Sequence, residues 1–412
     1  MASIELRYGS GTIPFEYDES CFEILAPPIS QNALTDIEIG DRLDNPIGSR
    51  SLDDVVTAGE TVLFVVSDAT RQTGAGQIAN LLVRRLIANG TAPHEMAIIF
   101  ATGIHRPVTD AEKQEILTPF ISQRIKTLDH NPRDLMQFMH VGETNSGIRV
   151  ELNRALFEFD HVVLIGGVTF HYFAGFTGGR KLVCPGLGSS KTIGATHRLA
   201  FDCETLDRRA GVGTGLLDGN AVHEAFMDAA SKAKIAFAVN TIVNDRGEVT
   251  DIFCGDWIES HRAACSSFAN RHSGSISKKR DLVIVSCGGY PFDVNMIQAH
   301  KSLEAASHAC SEGGTIIVLA ECRDGLGRDD FLDWFEAKDS RELAVRLCEK
   351  YQVNGQTAWS LLKKAERYRI QAVSGLDDEV LGRMRIEKIG TLMSKSNSGY
   401  IIPNGSKLRI TI

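Results

Sequence analysis

Short apolar runs, separated by segments with helical spacing, recur along most of this 412-residue chain. Six of them are almost free of polar positions and rich in β-branched or aromatic residues: TVLFVV from Thr61, MAIIFA from Met96, HVVLIGG from His161, IAFAVNTIV from Ile235, DLVIVSC from Asp281 and GTIIVLAE from Gly314. A strand that is apolar at successive positions needs cover on both of its faces, which helices provide in an α/β protein. The pattern therefore predicts an α/β fold with mostly parallel sheets flanked by helices.

The segments between these runs carry helix signals. The stretch Ile78–Leu86 has an apolar stripe at helical spacing, and Gly90 follows it as a C-terminal cap. Thr109–Glu112 fits a capping box at the start of another helix. Residues 294–310 form a third helical pattern before a glycine pair. Helices therefore alternate with the predicted strands, as parallel sheets require.

The chain is long enough for two domains, and one segment suggests where they meet. Asn270–Arg280, with the sequence NRHSGSISKKR, is polar, contains Ser and Gly, and immediately precedes a new strand. We therefore predict an N-terminal α/β domain of residues 1–272 and a C-terminal α/β domain of residues 273–412, with the active site in the cleft between them.

Composition removes several classes of function. The net charge is −8 and the basic residues are scattered, so we expect no nucleic-acid partner. No apolar run approaches the roughly 18 residues of a membrane span, and the N-terminus has no signal-peptide pattern, so we expect no membrane partner. The nine cysteines include no C-x-x-C pair and are odd in number. This usage predicts reduced thiols and a cytoplasmic location.

Charged, titratable or amide side chains follow four of the predicted strands. They are Asp68 and Arg71 in SDATRQT, His105 in TGIHRP, His171, Arg180 and Lys181 in VTFHYFAGFTGGRK, and Gln298 and Lys301 in GGYPFDVNMIQAHK. Ligands bind outside the carboxyl ends of strands in open α/β sheets. Four strand ends with such groups therefore predict a functional site.

The segment HYFAGFTGGRKLVCPGLGSSKTIGATH, from His171 to His197, matches no common phosphate loop. It lacks the G-x-x-x-x-G-K-[ST] and G-x-G-x-x-G patterns. Its two terminal histidines are too far apart for a local metal-binding pair. Its glycines suggest a backbone that comes close to a ligand.

Structural interpretations of the same residues stay open. SDATR could be a capped helix N-terminus in which Arg71 pairs with a surface acid. His105, beside a proline, could be an ordinary loop histidine, and a lone helical histidine such as His197 is usually structural. His171 and Lys181, on either side of the glycine-rich stretch, are harder to explain in this way.

The motifs SDATR, ATGIHR and HYFAGFTGGRK, with His197 behind them, resemble the nickel-pincer-nucleotide-dependent lactate racemase family. The resemblance continues through LDGNAVHEAF (Leu217–Phe226), GDWIESHR (Gly255–Arg262) and the GGYP to QAHK region, and covers roughly residues 10–400. It implies a racemase or epimerase that inverts C2 of a 2-hydroxy acid by proton-coupled hydride transfer.

The resemblance also implies a cofactor and a set of roles. The cofactor is pyridinium-3-thioamide-5-thiocarboxylic acid mononucleotide, covalently attached and carrying Ni(II), which proteins of its biosynthesis supply. The implied roles are Lys181 as the tether, His197 as the nickel ligand, Asp68, Arg71, Gly178, Gly179 and Arg180 around the cofactor, His105 and His171 as alternating acid and base, and Arg71, Gln298 and Lys301 on the substrate. The N-terminal domain would thus bind cofactor and nickel, and the C-terminal domain would contribute substrate contacts.

Some positions depart from the family pattern. Ile104 stands where a hydroxyl residue is common, and Gln72 and Thr169–Phe170 stand where prolines are common. These departures predict a differently shaped pocket, so a 2-hydroxy acid other than lactate stays open as the substrate. Trp359 could match an aromatic residue near the substrate, although a core aromatic on a helix explains it better.

Two other functions are compatible with the residues. A nicotinamide-dependent 2-hydroxy acid dehydrogenase would use the same strand ends, but it would need no nickel and would yield a net redox product. A non-catalytic nucleotide-binding module would tolerate the loss of both His105 and His171.

Overall fold

The computed structural model describes residues 2–27, 32–392 and 398–411. Its strands are β1 Ala2–Tyr8, β2 Gly11–Tyr17, β3 Phe22–Ile24, β4 Val62–Ser67, β5 Met96–Ala101, β6 Lys126–Leu128, β7 Phe138–Glu143, β8 Arg149–Asn153, β9 His161–Gly167, β10 Phe170–His171, β11 Gly175–Phe176, β12 Phe201–Asp202, β13 Asp207–Arg208, β14 Ile235–Val243, β15 Val249–Gly255, β16 Ser273–Ser275, β17 Arg280–Ser286, β18 Cys310–Leu319, β19 Arg369–Val373, β20 Ile386–Lys388, β21 Gly399–Ile402 and β22 Arg409–Thr411. Its α-helices are α1 Asp36–Leu43, α2 Leu52–Val55, α3 Ala75–Ala88, α4 Asp110–Ile116, α5 Pro119–Ser122, α6 Ala155–Glu158, α7 Ser190–Arg198, α8 Ala221–Ala230, α9 Glu259–His272, α10 Met296–Ala309, α11 Ser340–Glu349, α12 Val353–Arg367 and α13 Asp378–Arg383.

The chain forms two compact units. The N-terminal unit comprises Ser30–Ala200 and Ala210–Phe268, and the C-terminal unit comprises Met1–Ile29, Phe201–Arg209 and Ala269–Ile412. The sequence predicts one domain boundary, between residues 272 and 273. The contacts within the structure also assign the first strands and a short hairpin to the C-terminal unit.

Backbone pairing explains the position of the first strands and the structure of the predicted linker. Strand β3 pairs with β21, so the start of the chain becomes the edge of the C-terminal sheet. The segment Asn270–Arg280, which the sequence suggests is a linker, begins inside α9 and continues as β16, which pairs with β22. Its polar residues thus reflect an exposed sheet edge rather than a flexible connection.

The sheet of the N-terminal unit has the order β15-β14-β9-β4-β5-β6, and only β15 runs antiparallel to its neighbour. All six residues of β4 are buried. Alternate residues of β4 enter two different apolar clusters, one shared with Ile78 and Leu82 of α3 and the other with Leu182 and Val183. Both faces are therefore covered, which is why the strand lacks polar alternation.

The sheet of the C-terminal unit has the order β20-β19-β18-β17-β21-β3 and is parallel throughout. Helices α10 and α12 pack on it. The predicted α/β class with mostly parallel sheets flanked by helices is confirmed.

The predicted helices also form. Helix α3 buries Ile78, Leu82 and Leu86, and Gly90 follows it with a φ of 99°, a left-handed conformation that glycine adopts without strain. The capping box at Thr109 is present at the start of α4. Among the helices of the described residues, none combines the length and the apolar character that crossing a membrane requires.

One prediction about the cysteines is wrong. Cys203 and Cys348 form a disulfide across a sequence separation of 145 residues, whereas Cys21, Cys184, Cys254, Cys265, Cys287, Cys310 and Cys322 are free thiols. Sequence spacing could not reveal this bond, because only the tertiary fold brings the hairpin after α7 beside helix α11.

Side-chain contacts also hold this hairpin, Phe201–Arg208, in the C-terminal unit. Arg208 pairs with Glu304 of α10 at 2.7 Å, and Lys363 of α12 bonds to Asp207. The ring of Phe201 meets that of Trp359 edge-on at 4.9 Å, and Trp359 is a buried core residue. The core interpretation of Trp359 therefore holds.

We expect the disulfide to stabilise the C-terminal unit. Cys203→Ser should lower the free energy of unfolding by about 2–4 kcal/mol under oxidising conditions, because the bond closes a long loop in the unfolded chain. Thermal denaturation with and without dithiothreitol measures this, with Cys21→Ser as the control. The reduced wild-type protein should have the same melting temperature as the variant. A wild-type melting temperature that dithiothreitol does not change would contradict the expectation.

Candidate active site

The strand order of the N-terminal unit reverses between β4 and β9. From β4 the sheet continues through β5 to β6, and from β9 it continues the other way through β14 to β15. Ligands bind at such a reversal in open parallel sheets, outside the carboxyl ends of the strands. The segments that follow β4, β5 and β9 contain the predicted residues Asp68, Arg71, His105, His171 and Lys181. Topology therefore directs all of them to one edge of the sheet.

Asp68 follows β4 directly and is only 4% exposed. Its Oδ2 lies 2.6 Å from Nδ1 of His105, and its Oδ1 accepts hydrogen bonds from the backbone N–H and the hydroxyl of Thr70. Burial raises the pKa of Asp68, but the charge and hydrogen bond of His105, with smaller effects of Arg71 and Thr70, outweigh burial and lower it to about 2. Asp68 is therefore an ionised acceptor at neutral pH.

The bond to Asp68 sets the tautomer of His105. Because an ionised carboxylate only accepts hydrogen bonds, Nδ1 of His105 carries the proton and donates it. In the neutral ring, Nε2 then holds the lone pair. The side chain of His105 is 37% exposed, so a substrate can reach it. An aspartate orients a general-base histidine in hydrolases in the same way.

His171 has the opposite arrangement. Its Nδ1 accepts the backbone N–H of Ala174 at 3.2 Å, which leaves the proton on Nε2 of the neutral ring. The ring stacks on Tyr172 with centroids 5.4 Å apart and meets Phe173 edge-on at 4.4 Å. In the neutral rings, Nε2 of His171 therefore carries a proton, whereas Nε2 of His105 carries a lone pair.

Lys181 and His197 share two aromatic neighbours. The ammonium nitrogen of Lys181 lies 5.9 Å from the ring centroid of Phe173 and 5.7 Å from that of Phe226. The ring of His197 lies 5.2 Å from Phe173 and 5.3 Å from Phe226. Phe173 also contacts His171, so one small aromatic cluster joins three of the predicted site residues.

The surroundings of His197 suit a metal ligand. It lies on α7, is 5% exposed, and its Nδ1 is 2.8 Å from the carbonyl oxygen of Ile193. Burial, with the nearby charge of Lys181, lowers the pKa of His197 to about 3. The ring is therefore neutral, with its proton on Nδ1 and its lone pair on Nε2, the form that binds metals.

A metal at His197 would need further ligands from outside the protein. Within residues 2–27, 32–392 and 398–411, no group of three or more His, Cys, Asp or Glu side chains could hold a metal ion. A cofactor that brings its own soft donors and takes one imidazole fits this donor set, and such ligation suits Ni(II).

The glycines before Lys181 face protein rather than open space. Gly178 and Gly179 have φ values of 76° and 50°. A Cβ on Gly178 would lie 3.0 Å from Val168 and 3.3 Å from Asn240, and one on Gly179 would lie 2.7 Å from the ring of His261. The sequence suggests that these glycines leave space for a ligand. That interpretation is wrong for the space that a Cβ would occupy, because protein atoms already border it. Their absent side chains allow close internal packing.

Arg180 points into the protein interior. It is 0% exposed, and its guanidinium donates to the carbonyl oxygen of Ala174 at 2.7 Å and lies 3.0 Å from Nε2 of His261. Burial lowers the pKa of Arg180 to about 10. Direct contact of Gly178, Gly179 or Arg180 with a cofactor stays a prediction.

His223 and His261 are two buried histidines near Arg180. The functional residues predicted from strand ends include neither of them. Burial and the charge of Arg180 lower the pKa of His223 to about 3 and that of His261 well below its ordinary value. Both lie in motifs on which the resemblance rests, Leu217–Phe226 and Gly255–Arg262. Those motifs were the signal in the sequence that could have indicated them, because neither histidine lies in the segment directly after one of the six predicted strands.

The predicted substrate-binding residues divide between the two units. Arg71 is half-buried and lies in the turn that follows Asp68 in the N-terminal unit. Its backbone N–H donates a hydrogen bond to the carbonyl oxygen of Asp68 and closes this turn. Gln298 and Lys301 lie together in the first turns of α10, and Nζ of Lys301 donates to Oε1 of Gln298 at 2.5 Å. Helix α10 follows β17, where the strand order of the C-terminal unit reverses towards β21. Joint action of the two groups stays a prediction.

Comparison with known proteins identifies the family of the chain. A family model described as the lactate racemase N-terminal domain matches residues 8–207, and one described as the lactate racemase C-terminal domain matches residues 276–392. A lactate racemase of Thermoanaerobacterium thermosaccharolyticum is 31% identical over 355 residues, which cover 85% of this chain and 82% of that protein. A lactate racemase of Lactiplantibacillus plantarum is 30% identical over 423 residues, 100% of this chain and 98% of that protein.

Solved structures agree as well. The lactate racemase apoprotein of Thermoanaerobacterium thermosaccharolyticum superposes with a TM-score of 0.90 at 27% identity over the full length of both chains. A Thermotoga maritima protein superposes with a TM-score of 0.72 at 19% identity, over 93% of this chain, which shows a shared fold alone. From the two family domains, the relatives and the fold together, we conclude that the chain belongs to the lactate racemase family and is an isomerase of the racemase class.

Proposed function

We propose that this protein racemises or epimerises a 2-hydroxy acid at C2, using a nickel-pincer nucleotide attached to Lys181. The observation that carries the proposal is the aromatic cluster of Phe173 and Phe226, which Lys181 and His197 both contact. A tether and a metal ligand for the same cofactor need such common surroundings.

The residues present fit the cofactor. Lys181 would hold it, and the neutral ring of His197 would supply the single protein ligand to nickel. When bound, the cofactor would accept the C2 hydrogen of the substrate as hydride and return it to either face. The described residues offer no metal cluster that could replace it.

The protein's own contribution is the movement of the hydroxyl proton. Nε2 of His105, which carries the lone pair because Nδ1 donates to Asp68, would take the proton from the C2 hydroxyl of one enantiomer. For the opposite enantiomer to form, His171 would start protonated on both ring nitrogens, give its Nε2 proton to the oxygen and become neutral. After one inversion the two rings would have exchanged roles, so both are needed for reversible racemisation.

The substrate's carboxylate needs a positive partner. Arg71 offers a planar fork for it, and Lys301 a point charge that Gln298 orients through their hydrogen bond. All three stand where substrate contacts are expected from the family resemblance.

Lactate is the first substrate to test, because the relatives carry that name. Among the departures from the family pattern, Phe170 packs against Phe176 and Phe268, and the hydroxyl of Thr169 contacts that of Thr177. Ile104 instead lies half-buried beside His105, so it is the departure most able to change the substrate's side-chain pocket.

We expect Lys181→Ala to abolish both cofactor attachment and activity. Protein produced with the cofactor-synthesis proteins should carry a mass increment on the peptide containing Lys181 and should racemise a 2-hydroxy acid without net redox change. The variant should lose the increment and at least about 10³-fold in kcat/KM. Full activity in the variant, or turnover only with added nicotinamide nucleotide, would contradict the proposal.

A panel of 2-hydroxy acids, followed by chiral separation, identifies the substrate. Aliphatic, aromatic, dicarboxylic and sugar-derived acids should be included alongside lactate. Ile104→Ser, which removes the apolar side chain beside His105, should shift the ranking of substrates in the panel if this residue shapes the pocket. An unchanged ranking would count against that role.

We expect Asp68→Asn to impair proton transfer. The amide can donate to Nδ1 of His105 and thereby favour the tautomer that carries the proton on Nε2, so kcat should fall by roughly 10²–10⁴-fold. Asp110→Asn, an exposed aspartate at the start of α4, is the matched control. Retention of wild-type kcat by Asp68→Asn would exclude the Asp68–His105 pair as the base.

A further inference from the structure

Two motifs of the family resemblance have no part in the proposed function, yet both lie against the loop that carries Lys181. We call residues 174–181 the lysine loop. His261 lies under Gly179 of this loop, and His223, on α8, interacts with the charge of Arg180. Both histidines are buried, at 2% and 4% exposure.

Arg180 is a buried cation without an acidic partner among the described residues. No salt bridge within them joins its guanidinium to a carboxylate; its neighbours are the carbonyl oxygens of Ala174 and Gly178 and Nε2 of His261. In the same part of the chain, its Nε atom has no hydrogen-bond partner. A charge in this position costs free energy that a side chain of similar volume without charge would avoid. Its presence therefore calls for a role beyond filling the interior.

The bonds of Arg180 suggest that role, because they join the two ends of the lysine loop. Nη2 binds the carbonyl of Ala174 at 2.7 Å, where the loop begins, and the backbone of Arg180 itself precedes Lys181. The carbonyl of Thr177, in the middle of the loop, lies 2.9 Å from Nε2 of His261. The same nitrogen lies 3.0 Å from the guanidinium, so the neutral ring can accept from the arginine or donate to the carbonyl. Each tautomer therefore makes one of these two hydrogen bonds to the lysine loop.

We propose that Arg180 and His261 are positioning residues which fix the lysine loop, so that Lys181 is presented to its cofactor. The claim that Lys181 is presented to a cofactor rests on the proposed function. The claim that Arg180 and His261 fix the loop does not, because it depends only on the contacts of these two residues.

Hydrogen exchange on cofactor-free protein tests the loop directly. Arg180→Met removes the charge and keeps most of the volume, so backbone amides of the lysine loop, such as Thr177 and Lys181, should exchange at least about tenfold faster. Arg180→Lys, which cannot bind the Ala174 carbonyl and His261 together, should give a smaller increase. Arg154→Met serves as the control, because Arg154 is exposed and pairs with the exposed Glu158. It should leave the exchange rates of the lysine loop unchanged.

Global stability separates positioning from simple packing. If Arg180 positions the loop, the melting temperature of Arg180→Met should stay close to that of the wild type while loop exchange accelerates. Unchanged loop exchange in this variant would overturn the proposal. So would an equal acceleration throughout the N-terminal unit, because that would mean a general loss of stability.

A second variant tests the role of His261 under the loop. His261→Ala removes the ring that contacts Arg180 and the carbonyl of Thr177, so the amides of the lysine loop should exchange at least about tenfold faster. The loaded fraction of Lys181, measured by mass spectrometry, should fall with it. Wild-type exchange of the loop in His261→Ala would overturn the role of His261.

The two experiments fail in different ways. If wild-type protein never carries a mass increment on Lys181, the proposed function fails, while hydrogen exchange still decides whether Arg180 fixes the loop. If the wild type is loaded and the loop exchanges equally in Arg180→Met and in the control, the positioning proposal fails alone.

Discussion

Burial of both faces of the central parallel sheet is the constraint on which the N-terminal unit depends. Strand β4 is buried at all six positions, so one face must pack on α3 and the other on the segment that contains Leu182 and Val183. That segment directly follows Lys181. The loop that carries the predicted tether, which follows the carboxyl end of β9, is therefore anchored by the core of the sheet.

Burial also determines the charge states within the site. Burial keeps His197 neutral and disfavours the charged form of Arg180. It would also raise the pKa of Asp68 if the charge of His105 were not nearby. His105 and His171 differ mainly in what their Nδ1 atoms contact, a carboxylate in one case and a backbone N–H in the other. Two identical side chains thereby acquire opposite hydrogen-bonding roles, which suits a reaction that must run in both directions.

Much of the fold could be predicted, because a strand buried on both faces leaves a continuous apolar run that helical spacing does not produce. The six runs became β4, β5, β9, β14, β17 and β18. Strand ends likewise indicated Asp68, His105 and Lys181, since the segments after parallel strands all begin at the same edge of the sheet. His261 and His223 lie inside helices, where nothing local distinguishes a histidine that supports a loop from one that fills a core.

The class of fold, the order of its elements along the chain and the residue types at the carboxyl ends of the strands can be read from the sequence, because they depend on local patterns of polarity. The pairing of Cys203 with Cys348, the return of β3 to the C-terminal sheet and the inward direction of Arg180 become visible only in the folded chain. Each of these depends on contacts between residues that are distant in the chain or on where one side chain points. The polarity of neighbouring residues does not encode such contacts.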